Sequence, residues 1–147
     1  CNGYIFIADG GVVQSAPPTS MCADFIENYT KKYEHPPEAH QGYGAYDAVY
    51  LYKMVVEEAA KAGESDPFGS DTVVKYLEQL VTLENPVVLT RKIAFYPRGN
   101  ENKWDHDLGW GDNLVRNWIA EWIDGKQYQI WPTEKANAEL KLPQWFK

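Results

Sequence analysis

With 147 residues, 44% of them hydrophobic and 24% charged, the chain has the make-up of one globular domain with a core rather than of a disordered segment. Fourteen basic against twenty-one acidic residues leave a formal charge of -7, which argues against binding nucleic acid by phosphate neutralisation. No apolar run approaches the ~20 residues of a membrane-spanning helix.

In chain order, residues 4–8 form a continuous apolar run, Tyr-Ile-Phe-Ile-Ala, the pattern of a strand buried on both faces of a parallel sheet. Asp9-Gly10-Gly11 ends it and suits two readings equally, an ordinary turn or the ligand position that open α/β sheets place at a strand's carboxyl end. Cys1 invites a lipidated-terminus reading, against which the strand-like run starts too soon to leave a tether. Cys1 and Cys22 fit a disulfide or two free thiols. Ala16-Pro17-Pro18 then breaks the chain, and Thr19 or Ser20 caps a helix with Cys22, Phe25, Ile26, Tyr29 and Tyr33 on one face, ended by His35-Pro36-Pro37.

The longest periodic stretch follows. Ala45, Val49, Tyr52, Val56 and Ala59 or Ala60 recur at three- and four-residue spacing and predict a long helix with that face buried, stopping at Gly63. Gln41-Gly42-Tyr43-Gly44 stands just before the periodicity, where two glycines admit a close approach to the backbone. Gln41 and Tyr43 are therefore predicted to line a cleft rather than the core.

Beyond a loop at 65–69, Ser70 is expected to cap a third helix carrying Val73, Val74, Leu77, Leu80 and Val81 at helical spacing. Residues 86–89 and 93–96 read as short strands ahead of a turn at 97–100. A polar loop spans 100–113 and is long enough to suggest a functional or docking role. Residues 118–123 and 127–131 flank Asp124-Gly125, a favoured type I′ pair, and form the clearest hairpin of the chain. The tail, 132–147, is expected to pack on the body through Leu140, Leu142, Trp145 and Phe146.

Catalytic chemistry finds little support. Asp105, His106 and Asp107 invite a metal-assisted hydrolase, but no third partner stands at workable spacing, His35 and His40 lying far upstream. Calcium ligation by Asn100, Asn102, Asp105 and Asp107 lacks the EF-hand spacing and terminal glutamate. No Gly-x-Ser-x-Gly elbow is present, and Gly42-x-Gly44 has neither a third glycine nor a strand before it. No catalytic residue, metal or cofactor is predicted. A binding site asks less, needing only a concave wall, a few aimed polar groups and aromatic surface, and the six Trp and ten Tyr, most of them expected as core pieces, also serve as walls of small-molecule sites.

One resemblance joins these pieces. Phe25-Ile26-x-x-Tyr29, Tyr33-x-His35-Pro36-Pro37, Gly44-Ala45-Tyr46-Asp47-Ala48-Val49 and Ala62-Gly63-x-Ser65-Asp66, in this order, resemble the C-terminal portion of type I periplasmic solute-binding proteins of the branched-chain amino-acid type. His106-Asp107-Leu108, Trp122, Gly125-Lys126, Ile130-Trp131-Pro132 and Pro143-Gln144-Trp145 are similar to a tail found in part of that branch. The resemblance implies an α/β chain with a partial type I periplasmic-binding-protein fold: parallel-sheet lobes and a C-terminal β-hairpin. Residues 1–10 would end one lobe, 11–112 would form the C-terminal part of the other, and 113–147 would return to the first. It further implies a periplasmic or extracellular solute-binding component of an ABC importer, closing on an amino acid, amide, carboxylate or aromatic acid and presenting the closed form to a membrane permease. The ligand contacts it implies are Asp9, Gly10, Gln41, Gly42 and Tyr43, while Tyr46 and Asp47 are expected in packing and helix-start roles. A ligand sensor of the same fold is the alternative. The remaining surface would meet an N-terminal half, a second chain or another copy.

Overall fold

A computed structural model describes residues 3–8, 12–99, 105–112, 114–142 and 146. Among these residues the architecture is mixed α/β: three α-helices, a three-stranded antiparallel sheet in the order β1-β4-β5 and a two-stranded ribbon β2-β3. Parallel-sheet lobes are absent among the described residues, which corrects the expectation for the first strand. β1 (Ile5–Ala8) runs antiparallel to β4 (Trp118–Ile123), with Ile5 opposite Glu121 and Ala8 opposite Trp118. It is an edge strand covered on one side: Ala8 and Phe6 pack with Val13, Ala120 and Trp118, whereas Ile7 is 59% exposed. An all-apolar run marks a strand with two apolar faces but not the direction of its partner.

The hairpin forms as expected. β4 pairs with β5 (Lys126–Trp131) through Asp124 at φ 49° and Gly125 at φ 78°, the two positive values a type I′ turn demands. The β1–β4–β5 sheet is tied to the rest through side chains: Gln127 Nε2 donates to the Glu38 carbonyl and Asn137 Nδ2 to the Ser15 carbonyl.

α1 (Ser20–Tyr33) is capped by Thr19, whose hydroxyl accepts the Cys22 N–H at 3.0 Å and donates to the Leu89 carbonyl at 2.6 Å. A cap of this kind is worth about 1 kcal/mol, and here it also fastens the helix start to the ribbon. α2 (His40–Lys61) starts earlier than its apolar periodicity, so Gln41 to Gly44 form its first turns. Its buried stripe is Tyr43, Asp47, Leu51, Val55 and Ala59, while Val49 is 66% exposed. The predicted face, Ala45-Val49-Tyr52, looks to solvent instead. Because α2 is apolar nearly all round, two stripes satisfy the helical period, and the buried one is that which α3 and the ribbon cover.

α3 (Ser70–Leu80) follows Gly69, which occupies the cap position expected of Ser70. Val55, Ala59 and Tyr76 form the core between α2 and α3, and Leu51, Val81, Leu89 and Ile93 form the core beneath the ribbon of β2 (Val87–Val88) and β3 (Lys92–Ile93).

The tail departs from expectation. Leu140, Leu142 and Phe146 stay at least half exposed, and the segment is held by polar bonds: the Lys141 N–H donates to Glu121 Oε2 at 2.9 Å and the Gln129 N–H to Asn137 Oδ1 at 2.8 Å. Trp145 lies outside the described residues, as do Cys1, residues 100–104 and Asn113 of the polar loop. Among the described residues no helix is long and apolar enough to cross a membrane.

Candidate functional site

Gln41, Gly42 and Tyr43 share the first turns of α2 but not one environment. Gln41 is exposed. A Cβ built at Gly42 meets nothing within 4 Å among the described residues. Tyr43 is a core residue, 2% exposed, packed with Val12 and Cys22 and meeting the Phe25 ring edge-on at 5.2 Å between centroids. This corrects the expectation that Tyr43 lines a cleft: its position within the helix, rather than before it, turns the ring inward. Its hydroxyl is buried with no hydrogen-bond partner among the described residues, and burial, then the neighbouring Cys22, push its pKa up. Asp9 and Gly10 lie outside the described residues.

Below Tyr43 on the same stripe, Asp47 is 1% exposed and accepts three hydrogen bonds: Thr90 N–H at 2.9 Å, Thr90 Oγ1 at 2.7 Å and Arg91 Nε at 3.0 Å. Buried carboxylates persist when their oxygens are satisfied in this way. Asp47 thereby pins the turn of the β2–β3 ribbon against α2. Cys22 sits in the same interior as a free thiol, its pKa raised to about 12 by burial first and by the Asp47 charge second.

Arg91 leads from this core to a cleft. Its guanidinium passes Gly44, where an added Cβ would stand at an ordinary contact distance of 3.5 Å. Neither glycine of the Gln-Gly-Tyr-Gly segment is therefore crowded by the described residues. The cleft, about 440 Å³, opens between the start of α1 with the ribbon on one side and the segment leading into β4 on the other. Thr19, Arg91 and Lys92 stand on the first side, Arg116 and Trp118 on the second, and Lys135 follows β5. Arg116 lies over the Trp118 ring at 4.9 Å, Lys135 over the same ring at 5.9 Å, and Arg116 pairs with Asp112. Cation–π contacts of this kind hold flexible basic side chains in place.

None of these cleft residues stood out in the sequence as a site, because four separate segments supply them. The signal available was compositional: basic side chains around Trp118 in an acidic chain.

The triplet at 105–107 is dispersed into local roles. Asp105 accepts the Gly99 N–H at 2.7 Å, Asp107 accepts the Leu108 N–H at 2.9 Å, and His106 Nε2 meets Glu78 Oε1 at 2.6 Å. The His106 bond, with Arg98 nearby, holds the Glu78 carboxyl below its usual pKa. Among the described residues no three His, Cys, Asp or Glu side chains gather as a metal site. A second hollow, also about 440 Å³, lies beside this pair, walled mainly by Val74, Leu77, Val81, Leu83, Phe95 and Pro97.

No protein-family model matches the chain, and no curated protein matches it.

Proposed function

We propose that the chain is the C-terminal portion of an extracytoplasmic solute-binding component of an ABC importer, with the type I periplasmic-binding fold, and that it contributes one wall and the hinge side of a solute cleft. The observation that carries this reading is the 440 Å³ cleft between the start of α1 with the ribbon and the segment leading into β4, a size suited to a small molecule. Two further features support it. β1 and β4 share one sheet although they stand at opposite ends of the chain, the arrangement that the resemblance implies for residues 1–10 and 113–147. Gln41 lies three residues before Gly44, hence on the same side of α2 as the Arg91 guanidinium, which reaches from the α2 core to the cleft. The solute is held by Gln41 and the cleft side chains, the two lobes of the whole protein close on it, and the closed form is the one a permease accepts.

The exposed apolar faces fit the same account. Ile5 and Ile7 on the edge strand and Val49 and Tyr52 on α2 are surfaces that the rest of a two-lobed body covers.

Thermal-shift titration with amino acids, amides, carboxylates and aromatic acids tests the reading. One class is expected to raise the melting temperature saturably, with about 2.7 kcal/mol of stabilisation at a hundredfold excess over Kd, and Trp118→Ala is expected to remove the response. No shift from any class at millimolar concentration contradicts it.

A further inference from the structure

Four of the fourteen cationic side chains of an acidic protein line a single cleft, and their counter-charges are unequal to them. Asp47 balances Arg91, and Asp112 balances Arg116. Among the described residues Lys92 and Lys135 remain outside these ion pairs, so the cleft holds two more basic than acidic partners. A field of this sign runs against the net charge of -7 and draws small anions to one place on a surface that otherwise repels them.

Three of the four basic groups are also arranged in advance of binding. Arg91 is fixed by Asp47, Arg116 is held over Trp118, and Lys135 rests over the same ring, so little side-chain freedom is lost when an anion arrives. Beside Thr19, Ser20 and Asp112, the lining has an apolar part: Pro18, Val88, Leu114, Val115 and the Trp118 ring. That surface suits a carbon skeleton and gives a bare inorganic ion nothing to cover.

We propose that the cleft takes a small organic dianion, a dicarboxylate or a phosphate monoester, whose two negative charges match Lys92 and Lys135 and whose carbon skeleton lies on Trp118. The proposal rests on the solute-binding reading and narrows its solute. Lysine ammonium and arginine guanidinium both form charge-assisted bonds with carboxylate and phosphate oxygens. The two anion types share this chemistry, and the number of charges is what separates them from a neutral or singly charged solute.

Calorimetric titration of the purified protein with succinate, butyrate, succinamide, glycerol 3-phosphate, inorganic phosphate and leucine tests it. Succinate or glycerol 3-phosphate is expected to bind one to one, about tenfold or more tighter than butyrate, succinamide or inorganic phosphate, and to weaken with added salt. Which of the two binds more tightly tells dicarboxylate from phosphate monoester. Lys92→Gln and Lys135→Gln, both at exposed positions and so compatible with folding, are each expected to erase the preference. Lys53→Gln, on the outer face of α2, is expected to leave it intact. Leucine or succinamide binding as tightly as the dianions, with Trp118→Ala still abolishing it, overturns the dianion and keeps the solute cleft. A dianion preference that survives both lysine substitutions also overturns it. Absence of binding by every solute overturns the cleft itself and the dianion with it.

Discussion

Asp47 on α2 and Arg91 at the turn of the β2–β3 ribbon, 44 residues apart, meet as a nearly dry ion pair, Oδ2 to Nε at 3.0 Å, with the carboxylate side chain 2% exposed. Thr90 completes the carboxylate's bonding through its N–H and its hydroxyl. Removing one partner of such a pair strands the other charge in a low-dielectric interior. Asp47→Ala is accordingly expected to cost about 3–5 kcal/mol, read by urea denaturation. The double variant Asp47→Ala/Arg91→Met is expected to recover part of that loss, which separates the stranded charge from the pair's own worth.

The two stripes of α2 give opposite expectations. Leu51 is 7% exposed beneath the ribbon, and Leu51→Ala is expected to lose about 2–5 kcal/mol. Val49→Ser, on the open face, is expected to stay within ~0.5 kcal/mol. Denaturant midpoints of the two variants decide between the stripes, since the reverse order means that the helix buries the other face.

Gly42 sits inside a helix where a Cβ would meet nothing within 4 Å among the described residues, so Gly42→Ala is expected to stabilise the protein by about 0.5–1 kcal/mol. As a proposed ligand contact it carries a second expectation, that the added methyl group weakens solute binding while the melting temperature rises. Gln41→Ala, at an exposed position, is expected to weaken binding with the melting temperature unchanged. A stabilised Gly42→Ala protein with unaltered affinity removes Gly42 from the site.

Alkaline pH acts on the core through Cys22 and Tyr43. Burial raises both pKa values, that of Cys22 from 9.0 to about 12, so the folded state holds its protons over a range in which the unfolded chain releases them. Stability is therefore full below the unfolded value and falls as pH rises from about 9 towards 12. Cys22→Ala is expected to flatten this limb of the stability–pH curve. The native thiol is also expected to resist alkylation at pH 8 until the protein is unfolded.

What was legible in the sequence was local. Thr19 caps a helix three residues ahead of the N–H it accepts, and Asp124-Gly125 supplies both positive φ values of its own turn, so each element was readable without knowledge of its neighbours. The face of α2 was not readable, because Val49 and Leu51 are equally apolar and only the docking of α3 and the ribbon chooses between them. The direction of β1 was hidden for a similar reason, its partner standing more than a hundred residues away. Asp47 stood in a recognisable motif, yet its role depends on Thr90 and Arg91, which follow no fixed spacing from it. The cleft drew Arg91, Lys92, Arg116 and Lys135 from separate segments and had no motif to announce it.

The most direct measurement of the solute cleft is a two-dimensional 15N–1H spectrum recorded through a solute titration. The indole N–H of Trp118 and the backbone N–H groups of Lys92, Arg116 and Lys135 are expected to shift together along one saturating curve, with Gln41 following and Val49 and Lys53 unmoved. Shifts confined to Val74, Leu77 and Phe95 in the apolar hollow, or a spectrum unchanged at saturating solute, contradict the account.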